Sequence, residues 1–272
     1  MHQTFLVQDD YEEVAGDFLQ IASEQRLKIL LNLQEKNSNV TSMAKELDST
    51  VAELYRNFER LMKSDLIYKD SSGNYNLTTY GKAICTCIPS FAFLSRNKKY
   101  FNAHDFGDLP KKFIQSIGAL ESGQYQKGFI KVVQQWKEIC ENANEYIYDI
   151  LYEEPLELID PIVSKAKQGV KINSIFSGST VIPKGRKEII TKPAIKKLIE
   201  DGMIERRMSD VNVVVILNEK EACVIFPTAT GDADMSSMFH STEPAFHQWC
   251  VDYFKHCWSN SRPFQESKLQ EK

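Results

Sequence analysis

The sequence predicts a chain of mixed fold class: an α+β region at residues 1–90, a helical connector at 91–125, and an α/β region at 126–260. Two observations predict this division. Helical periodicity and one hairpin pattern fill the first region, whereas helices and strands alternate in the third. The length of 272 residues suits two ordinary domains, and 42% hydrophobic residues suffice for a core in each.

Residues 12–34 are the first predicted element and should be largely helical. Its apolar face is formed by Leu27, Ile29, Leu30, Leu31 and Leu33. Because these residues recur at helical spacing, the helix is expected to be the scaffold on which the following elements pack.

A helix, a tight turn and a second helix are predicted between residues 39 and 63. Met43, Ala44 and Leu47 are apolar at helical spacing. Thr50 opens the second helix, and Glu53 follows three residues later, which is the spacing of a capping box. The pattern therefore indicates a helix-turn-helix.

The two faces of the second predicted helix differ in chemistry. The apolar face carries Val51, Leu54, Phe58, Leu61 and Met62. The opposite face carries Ala52, Glu53, Arg56, Arg60 and Lys63. An exposed helix with arginines one turn apart fits the DNA major groove, where arginine reads guanine or holds phosphate. This face, together with Ser49 in the turn, is the predicted DNA-binding surface.

A hairpin is predicted to follow, with strands at 66–69 and 74–77 and a turn that ends at Gly73. Lys69 and Gly73 are expected to contact DNA phosphates. The order helix, turn, helix, SDLIY and GNYNLTTYGK resembles the winged helix-turn-helix of archaeal ArsR-like and TrmB-like transcription regulators. The resemblance covers about the first third of the chain and implies double-stranded DNA as the partner. A winged helix that binds other proteins is the alternative.

The segment after the hairpin predicts a helix that begins at Thr78 or Thr79 and ends at Pro89. In winged-helix regulators such a helix often pairs two subunits, so the resemblance implies a homodimer; packing on its own domain is the alternative. The connector resembles the corresponding segment of methanogenesis-regulator-type proteins. Within it, His104 and Asp105 are either a switch pair or, as we favour, a structural histidine beside a helix-capping aspartate.

The third region alternates helices with strands, which predicts a partly parallel sheet. Strands are predicted at 146–151, 170–176, 203–208, 211–217 and 222–226; helices at 129–140, 155–168, 193–201 and 243–258; a loop at 177–185; and a loose polar tail at 261–272. The pattern resembles half of a phospholipase D-like fold. Enzymes of that fold need H-x-K-x4-D, but Val211, Val213 and Asn218 stand at those positions, so we expect no enzyme activity.

An α/β domain that lacks a catalytic motif and follows a DNA-binding domain is expected to sense a small-molecule effector. Ligands of such sheets bind outside the carboxyl ends of parallel strands. The predicted ligand-binding residues are Tyr152, Phe176, Ser177, Ser179 and Thr228. Ordinary loop roles are the alternative for each of them.

Charge distribution and cysteine content indicate the expected binding partner and cellular compartment. The net charge is −4, yet residues 20–99 hold 12 Lys and Arg against 8 Asp and Glu, so a mildly basic reader precedes an acidic remainder. The six cysteines form no C-x-x-C pair and are expected to be reduced, mostly core residues. No export signal or membrane span is evident. We expect a cytoplasmic protein without a cofactor or metal.

Overall fold

A computed structural model describes the backbone of residues 10–271, and the side chains in that range except those at 10, 178, 179, 270 and 271. The chain divides into two compact units, Met1–Pro89 and Ser90–Lys272. The predicted fold class is confirmed. In the described residues, the first unit combines helices with a two-stranded sheet, and the second combines helices with a nine-stranded mixed sheet.

The first unit is built from helices and one hairpin around a single core. Its elements are α1 (Asp10–Ile21), α2 (Glu24–Glu35), α3 (Val40–Glu46), α4 (Val51–Lys63), β1 (Ile67–Lys69) and β2 (Tyr75–Leu77). The core joins Ile29 and Leu30 of α2 to Met43 of α3 and to Leu54 and Phe58 of α4, all fully buried. Helix packing therefore fixes α4 against α2 and α3.

The prediction that residues 12–34 are largely helical is confirmed, and the structure divides them into two helices that part at residues 22 and 23. Ser23 has extended backbone angles, φ −145° and ψ 126°. The buried guanidinium of Arg26 donates hydrogen bonds to the carbonyl oxygens of Leu19 (2.8 Å) and Gln20 at the end of α1. A cation that satisfies these last carbonyls favours a helix end there.

Helix α5 (Thr79–Arg96) runs through Pro89, where the sequence predicts its end. A proline inside a helix removes one hydrogen bond and costs about 3 kcal/mol. Packing outweighs that cost here, since Cys85 is buried in the core of the first unit and Phe93 in the core of the second. At its start, the Thr78 hydroxyl accepts from Gly81 N–H at 2.9 Å.

The second unit surrounds one large sheet. Its helices are α6 (Lys98–Phe101), α7 (Lys111–Gln115), a 3-10 turn (Ile117–Leu120), α8 (Phe129–Asn142), α9 (Leu156–Lys167), α10 (Arg186–Ile190), α11 (Pro193–Glu200) and α12 (Pro244–Ser259). Its strands are β3 (Gln124–Lys127), β4 (Tyr146–Glu153), β5 (Lys171–Ile182), β6 (Ile204–Met208), β7 (Val214–Leu217), β8 (Ala222–Ile225), β9 (Ser237–Ser241), β10 (Arg262–Pro263) and β11 (Gln270–Glu271).

The strand order is β10-β6-β5-β4-β7-β8-β9-β3, with β11 paired to β5. Strands β4, β5 and β6 are parallel, whereas β7, β8, β9 and β3 form antiparallel pairs. Strand β5 extends to Ile182, so the predicted loop over 177–185 is largely wrong. The extension is held by pairing with β11 and by the Thr180 hydroxyl, which donates to the Leu151 carbonyl oxygen at 2.8 Å.

Two further predictions differ from the structure. The segment predicted as a separate helical connector, 91–125, contributes Phe93, Phe113 and Ile117 to the same core as α12. The segment predicted as a loose tail, 261–272, supplies β10 and β11, and Phe264 packs on Phe176 with ring centroids 5.2 Å apart. Both segments pair with residues distant in sequence, which local patterns do not reveal.

Candidate functional site

Helix α4 begins with the cap that the sequence predicts. The Thr50 side-chain oxygen accepts from the backbone N–H of Glu53 at 3.2 Å, and the Thr50 hydroxyl lies 3.2 Å from the Glu53 carboxylate. This interaction satisfies one of the free N–H groups of the first turn, so the start of α4 is well defined.

Replacement of Thr50 with alanine removes that cap. We expect Thr50→Ala to lower the free energy of unfolding of the first unit by about 1 kcal/mol. All three tryptophans lie after residue 90, so urea titrations followed by circular dichroism and by tryptophan fluorescence separate the two units. Thr50→Ser keeps the hydroxyl and is the matched control. An unchanged midpoint for the alanine variant would contradict the role of the cap.

The apolar face of α4 is predicted correctly except at its first turn. Leu54, Phe58 and Leu61 are fully buried, and Met62 is half-buried against the same core. Val51 is 50% exposed, so its predicted place in the packed face is wrong. Its position in the first turn of α4 leaves half of its surface in solvent.

The opposite face of α4 is exposed as predicted. It carries Ala52, Glu53, Arg56, Arg60 and Lys63. Arg56 forms no ion pair among the described residues, and its Nε–H donates only to the Ala52 carbonyl oxygen of its own helix, at 3.4 Å. Its guanidinium is therefore available to an external partner.

The other two basic residues of α4 differ from Arg56. Burial lowers the pKa of the Arg26 guanidinium, and the positive charge of nearby Arg60 lowers it further. Lys63 borders a surface cavity that includes Glu13 and Asp17 of α1. Arg60 and Lys63 thus lie toward α1 and α2, which leaves Arg56 as the most independent cation on the exposed face.

Ser49 occupies a structural position. Its hydroxyl accepts from Gln25 Nε2 at 2.8 Å and donates to the Leu47 carbonyl oxygen at 3.3 Å. Gln25 in turn accepts from Asn57 Nδ2 at 2.5 Å. These bonds tie α2, the turn and α4 together, and Ser49 is half-buried rather than open to solvent.

The hairpin is ordered by one carboxylate. Asp70 accepts from the backbone N–H groups of Ser72 and Asn74, both at 2.9 Å, and from Asn76 Nδ2 at 3.0 Å. The hydrogen bond from Asn74 is the main reason that the pKa of Asp70 lies below its ordinary value. Gly73 supplies the required left-handed backbone, with φ +85°.

Lys69 is exposed at the end of β1, with its Nζ 5.5 Å from the ring centroid of Tyr75. Tyr75 is paired on its other side with Ser38, through backbone hydrogen bonds of 2.8 and 3.3 Å. The sequence did not predict this third backbone segment. It anchors the hairpin that presents Lys69.

Sequence reasoning missed two aromatic residues of this surface. Tyr55 of α4 and Tyr68 of β1 are each 50% exposed. Tyr55 immediately precedes Arg56, and Tyr68 immediately precedes Lys69. The available signal was the position of each tyrosine directly before an exposed basic residue.

The three positions that correspond to the phospholipase D motif serve the interior of the second unit. Val213 is fully buried and Val211 is 9% exposed. The amide of Asn218 donates to the Ile139 carbonyl oxygen at 2.7 Å and accepts from Lys220 N–H (2.7 Å) and Glu221 N–H (3.0 Å). These side chains act in packing and in a turn.

The predicted ligand-binding residues are only partly brought together. Pairing of Leu151 with Phe176 places Tyr152 near Ser177 at the end of the parallel strands. Ser177 is 4% exposed and Tyr152 is half-buried. The side chain of Phe176 is buried beneath Phe264 rather than open to solvent.

The other two predicted ligand residues are Ser179 and Thr228. The side chain of Ser179 lies outside the described residues. Thr228 belongs to a turn in which its hydroxyl accepts from Asp232 N–H at 3.1 Å, and its backbone bridges to His104.

A charged network occupies the same edge of the sheet. Arg186, 1% exposed, is ion-paired with Glu154 and with Glu266, the latter at 2.5 Å. Arg206 reaches Glu266 at 3.3 Å. Burial raises the pKa of Glu154, although the positive charge of Arg186 opposes that effect. The network joins the carboxyl end of β4 to the chain segment after α12.

His104 has the structural contacts of the favoured interpretation, with Asp234 as its carboxylate partner, but Asp105 caps neither of the neighbouring helices, whose N-caps are Asn97 and Pro110. Its Nδ1 lies 2.8 Å from the Tyr100 carbonyl oxygen and its Nε2 lies 2.8 Å from the Asp234 carboxylate. Burial alone would raise the pKa of Asp234, but hydrogen bonds from Ser236, His104 and Ser237 lower it to about 2. The Asp105 carboxylate accepts from Phe106 N–H.

The described residues contain neither a metal-binding cluster nor a membrane-spanning helix. No group of three or more His, Cys, Asp or Glu side chains is placed to hold a metal ion. Among the same residues, no helix has both the length and the apolar character that a membrane crossing requires.

Comparisons with known proteins give weak structural likenesses. No family model matches the sequence, and no curated protein matches it significantly. The structure of the archaeal chromatin protein TrmBL2 is 12% identical, with a TM-score of 0.41 over 95% of this chain and 100% of that one. The phospholipase D family member Nuc from Salmonella typhimurium is 14% identical, with a TM-score of 0.38 over 53% of this chain and 99% of that one. Likenesses at this level carry no argument about activity.

Proposed function

We propose that this protein is a DNA-binding transcription regulator whose helix α4 enters the major groove. Packing of α4 against α3 and the turn holds the exposed face of α4 in place. The β1-β2 hairpin presents Lys69 beside this face as a phosphate contact. The observation that carries the proposal is the unpaired Arg56 guanidinium on the solvent side of a capped, well-packed helix.

Salt-dependent binding to duplex DNA tests this proposal. Duplexes selected from a random library by the full-length protein would be titrated by fluorescence anisotropy at several salt concentrations. We expect the logarithm of the binding constant to fall linearly with the logarithm of salt concentration, with a slope of about −0.9 for each neutralised phosphate. A scrambled duplex that binds as tightly as the selected one at every salt concentration would contradict sequence-specific regulation.

A second candidate function is protein recognition by the same face. It is favoured by Tyr55 and Tyr68, each 50% exposed, which directly precede the basic residues Arg56 and Lys69. Exposed aromatic residues are enriched in protein interfaces. Absence of salt-sensitive DNA binding, together with loss of a protein partner when Tyr55 is replaced with alanine, would favour this candidate.

The regulator is proposed to act as a homodimer. Two copies of α4 would then address half-sites about 34 Å apart, and the operator would be an imperfect palindrome. Light scattering at micromolar concentration and footprinting of the selected duplex test this arrangement. A monomer whose footprints lack two-fold symmetry would contradict it.

The second unit is proposed to bind an effector without catalysis. Val211 and Val213 offer neither a nucleophile nor a cation at the positions where phospholipase D chemistry requires them. An effector that prefers one of two states should change DNA affinity by about 1–3 kcal/mol. Turnover of a phosphodiester, abolished by a substitution in the second unit, would contradict this part of the proposal.

A further inference from the structure

A cavity of about 680 Å³ in the second unit has a strongly basic lining. Its walls include Arg96, Lys98, Lys99, Tyr125 and Lys127, and His104 lies at its inner side. This volume lies within the range of small-molecule sites. None of these residues belongs to the predicted ligand site at the ends of the parallel strands.

Three of the four basic side chains in this cavity are not neutralised. Arg96 is ion-paired with Glu121, whereas Lys98, Lys99 and Lys127 form no ion pair with any described residue. All three lysines are exposed. In a concave site their like charges reinforce one another, so the cavity attracts an anion that carries several charges.

The Tyr100 and His104 side of the cavity is held by stacking and hydrogen bonds. The ring of His104 stacks on Tyr100 with centroids 3.7 Å apart and an interplanar angle of 8°. The Tyr100 hydroxyl accepts from Phe226 N–H at 3.2 Å, and His104 is fixed by its 2.8 Å contact with Asp234. A wall held by these contacts can position a ligand without first being ordered.

Tyr125 places an aromatic surface beside the lysines. Its ring contacts Tyr100 and Phe239, with centroids 5.6 and 5.5 Å away, and 46% of the residue remains exposed. Side chains two residues apart in a strand project to the same face, so Tyr125 and Lys127 of β3 lie on one side of the sheet edge. An aromatic ring thus adjoins an uncompensated ammonium group.

We propose that this cavity binds a nucleoside diphosphate or triphosphate. The base would stack on Tyr125, since every base has a π face and such stacking does not depend on which base is present. The phosphates would lie among Lys98, Lys99 and Lys127, since a lysine ammonium binds phosphate as a point charge. The proposed ligand therefore carries two parts, an aromatic group and a multiply charged phosphate chain.

Calorimetric titration of the full-length protein tests the site with ATP, inorganic pyrophosphate and adenosine as probes. We expect ATP to bind more tightly than pyrophosphate, and pyrophosphate more tightly than adenosine. Lys99→Glu combined with Lys127→Glu should weaken ATP binding about tenfold or more, because each change replaces an attractive charge with a repulsive one. Tyr125→Ala should weaken ATP binding but leave pyrophosphate binding unchanged.

The matched control is Lys255→Glu combined with Lys196→Glu, which makes the same charge change at exposed positions of α12 and α11 outside the cavity. Tryptophan fluorescence would verify that each variant is folded. Equal losses in the control and in the cavity variants would overturn the proposal, as would failure of the wild-type protein to bind ATP. The proposal would also be overturned if ATP and duplex DNA competed completely and the cavity variants bound neither of them. The cavity would then be a site for DNA phosphates.

Discussion

Replacement of Arg56 with alanine should weaken binding to a selected duplex by about 1–3 kcal/mol, roughly ten- to hundredfold, while leaving the fold intact. The reason is that Arg56 is exposed and has no ion-pair partner among residues 10–271, so its removal costs the free protein little. An arginine that reads guanine makes two hydrogen bonds, and both would be lost. Anisotropy titrations at matched salt measure the change.

Two comparisons sharpen this prediction. Arg60→Ala should have a smaller effect on DNA affinity, because the Arg60 charge lies near Arg26 on the side of α1 and α2. Lys28→Ala is the control, since Lys28 is exposed on α2 and paired with Glu24 at 2.6 Å. An Arg56→Ala affinity within twofold of wild type would contradict insertion of this face into the groove.

The sequence predicted the first unit well because its signals are local. Thr50 and Glu53 lie three residues apart, and the two faces of α4 follow from helical spacing alone. The partial burial of Ser49 was not evident, because it depends on Gln25, which is distant in sequence. The pairing of Ser38 with Tyr75 has no local pattern and was not predicted.

The second unit was less predictable because its buried ion pairs and its basic cavity depend on contacts between residues distant in sequence. Glu266 meets Arg186 across 80 residues of sequence, and His104 meets Asp234 across 130. No periodicity marks such pairs. Likewise, Lys98 and Lys99 of α6 share a cavity with Tyr125 and Lys127 of β3, although the two elements are separate in sequence.

Asp149 is an exception, since the sequence did carry a signal for it. It stands in the string YIYDILYE, an otherwise apolar and aromatic strand apart from its last residue. In the structure it is 1% exposed on β4 and has a hydrogen bond with Ser174 of β5. Its Oδ1 is buried without a hydrogen-bond partner among the described residues. A carboxyl group in such surroundings favours its neutral form.

Burial raises the pKa of Asp149 from 3.8 to about 8, although the hydrogen bond from Ser174 opposes the change. Between these two values the folded state holds a proton that the unfolded state has lost. The stability contributed by this group is therefore fully present below pH 4 and decreases as the pH rises toward 8. The decrease amounts to about 4 kcal/mol between pH 4 and pH 7.

Asp149→Asn should remove this pH dependence, because an amide carries no titrating proton. Relative to wild type, we expect the free energy of unfolding of the variant to rise by about 4 kcal/mol from pH 4 to pH 7. Urea titrations followed by tryptophan fluorescence measure the second unit, which contains Trp136, Trp249 and Trp258. Asp160→Asn, the same change at an exposed position of α9, is the control and should follow wild type. Parallel pH profiles for wild type and Asp149→Asn would show that Asp149 is ionised in the folded protein and that water or a rearranged partner solvates its carboxylate.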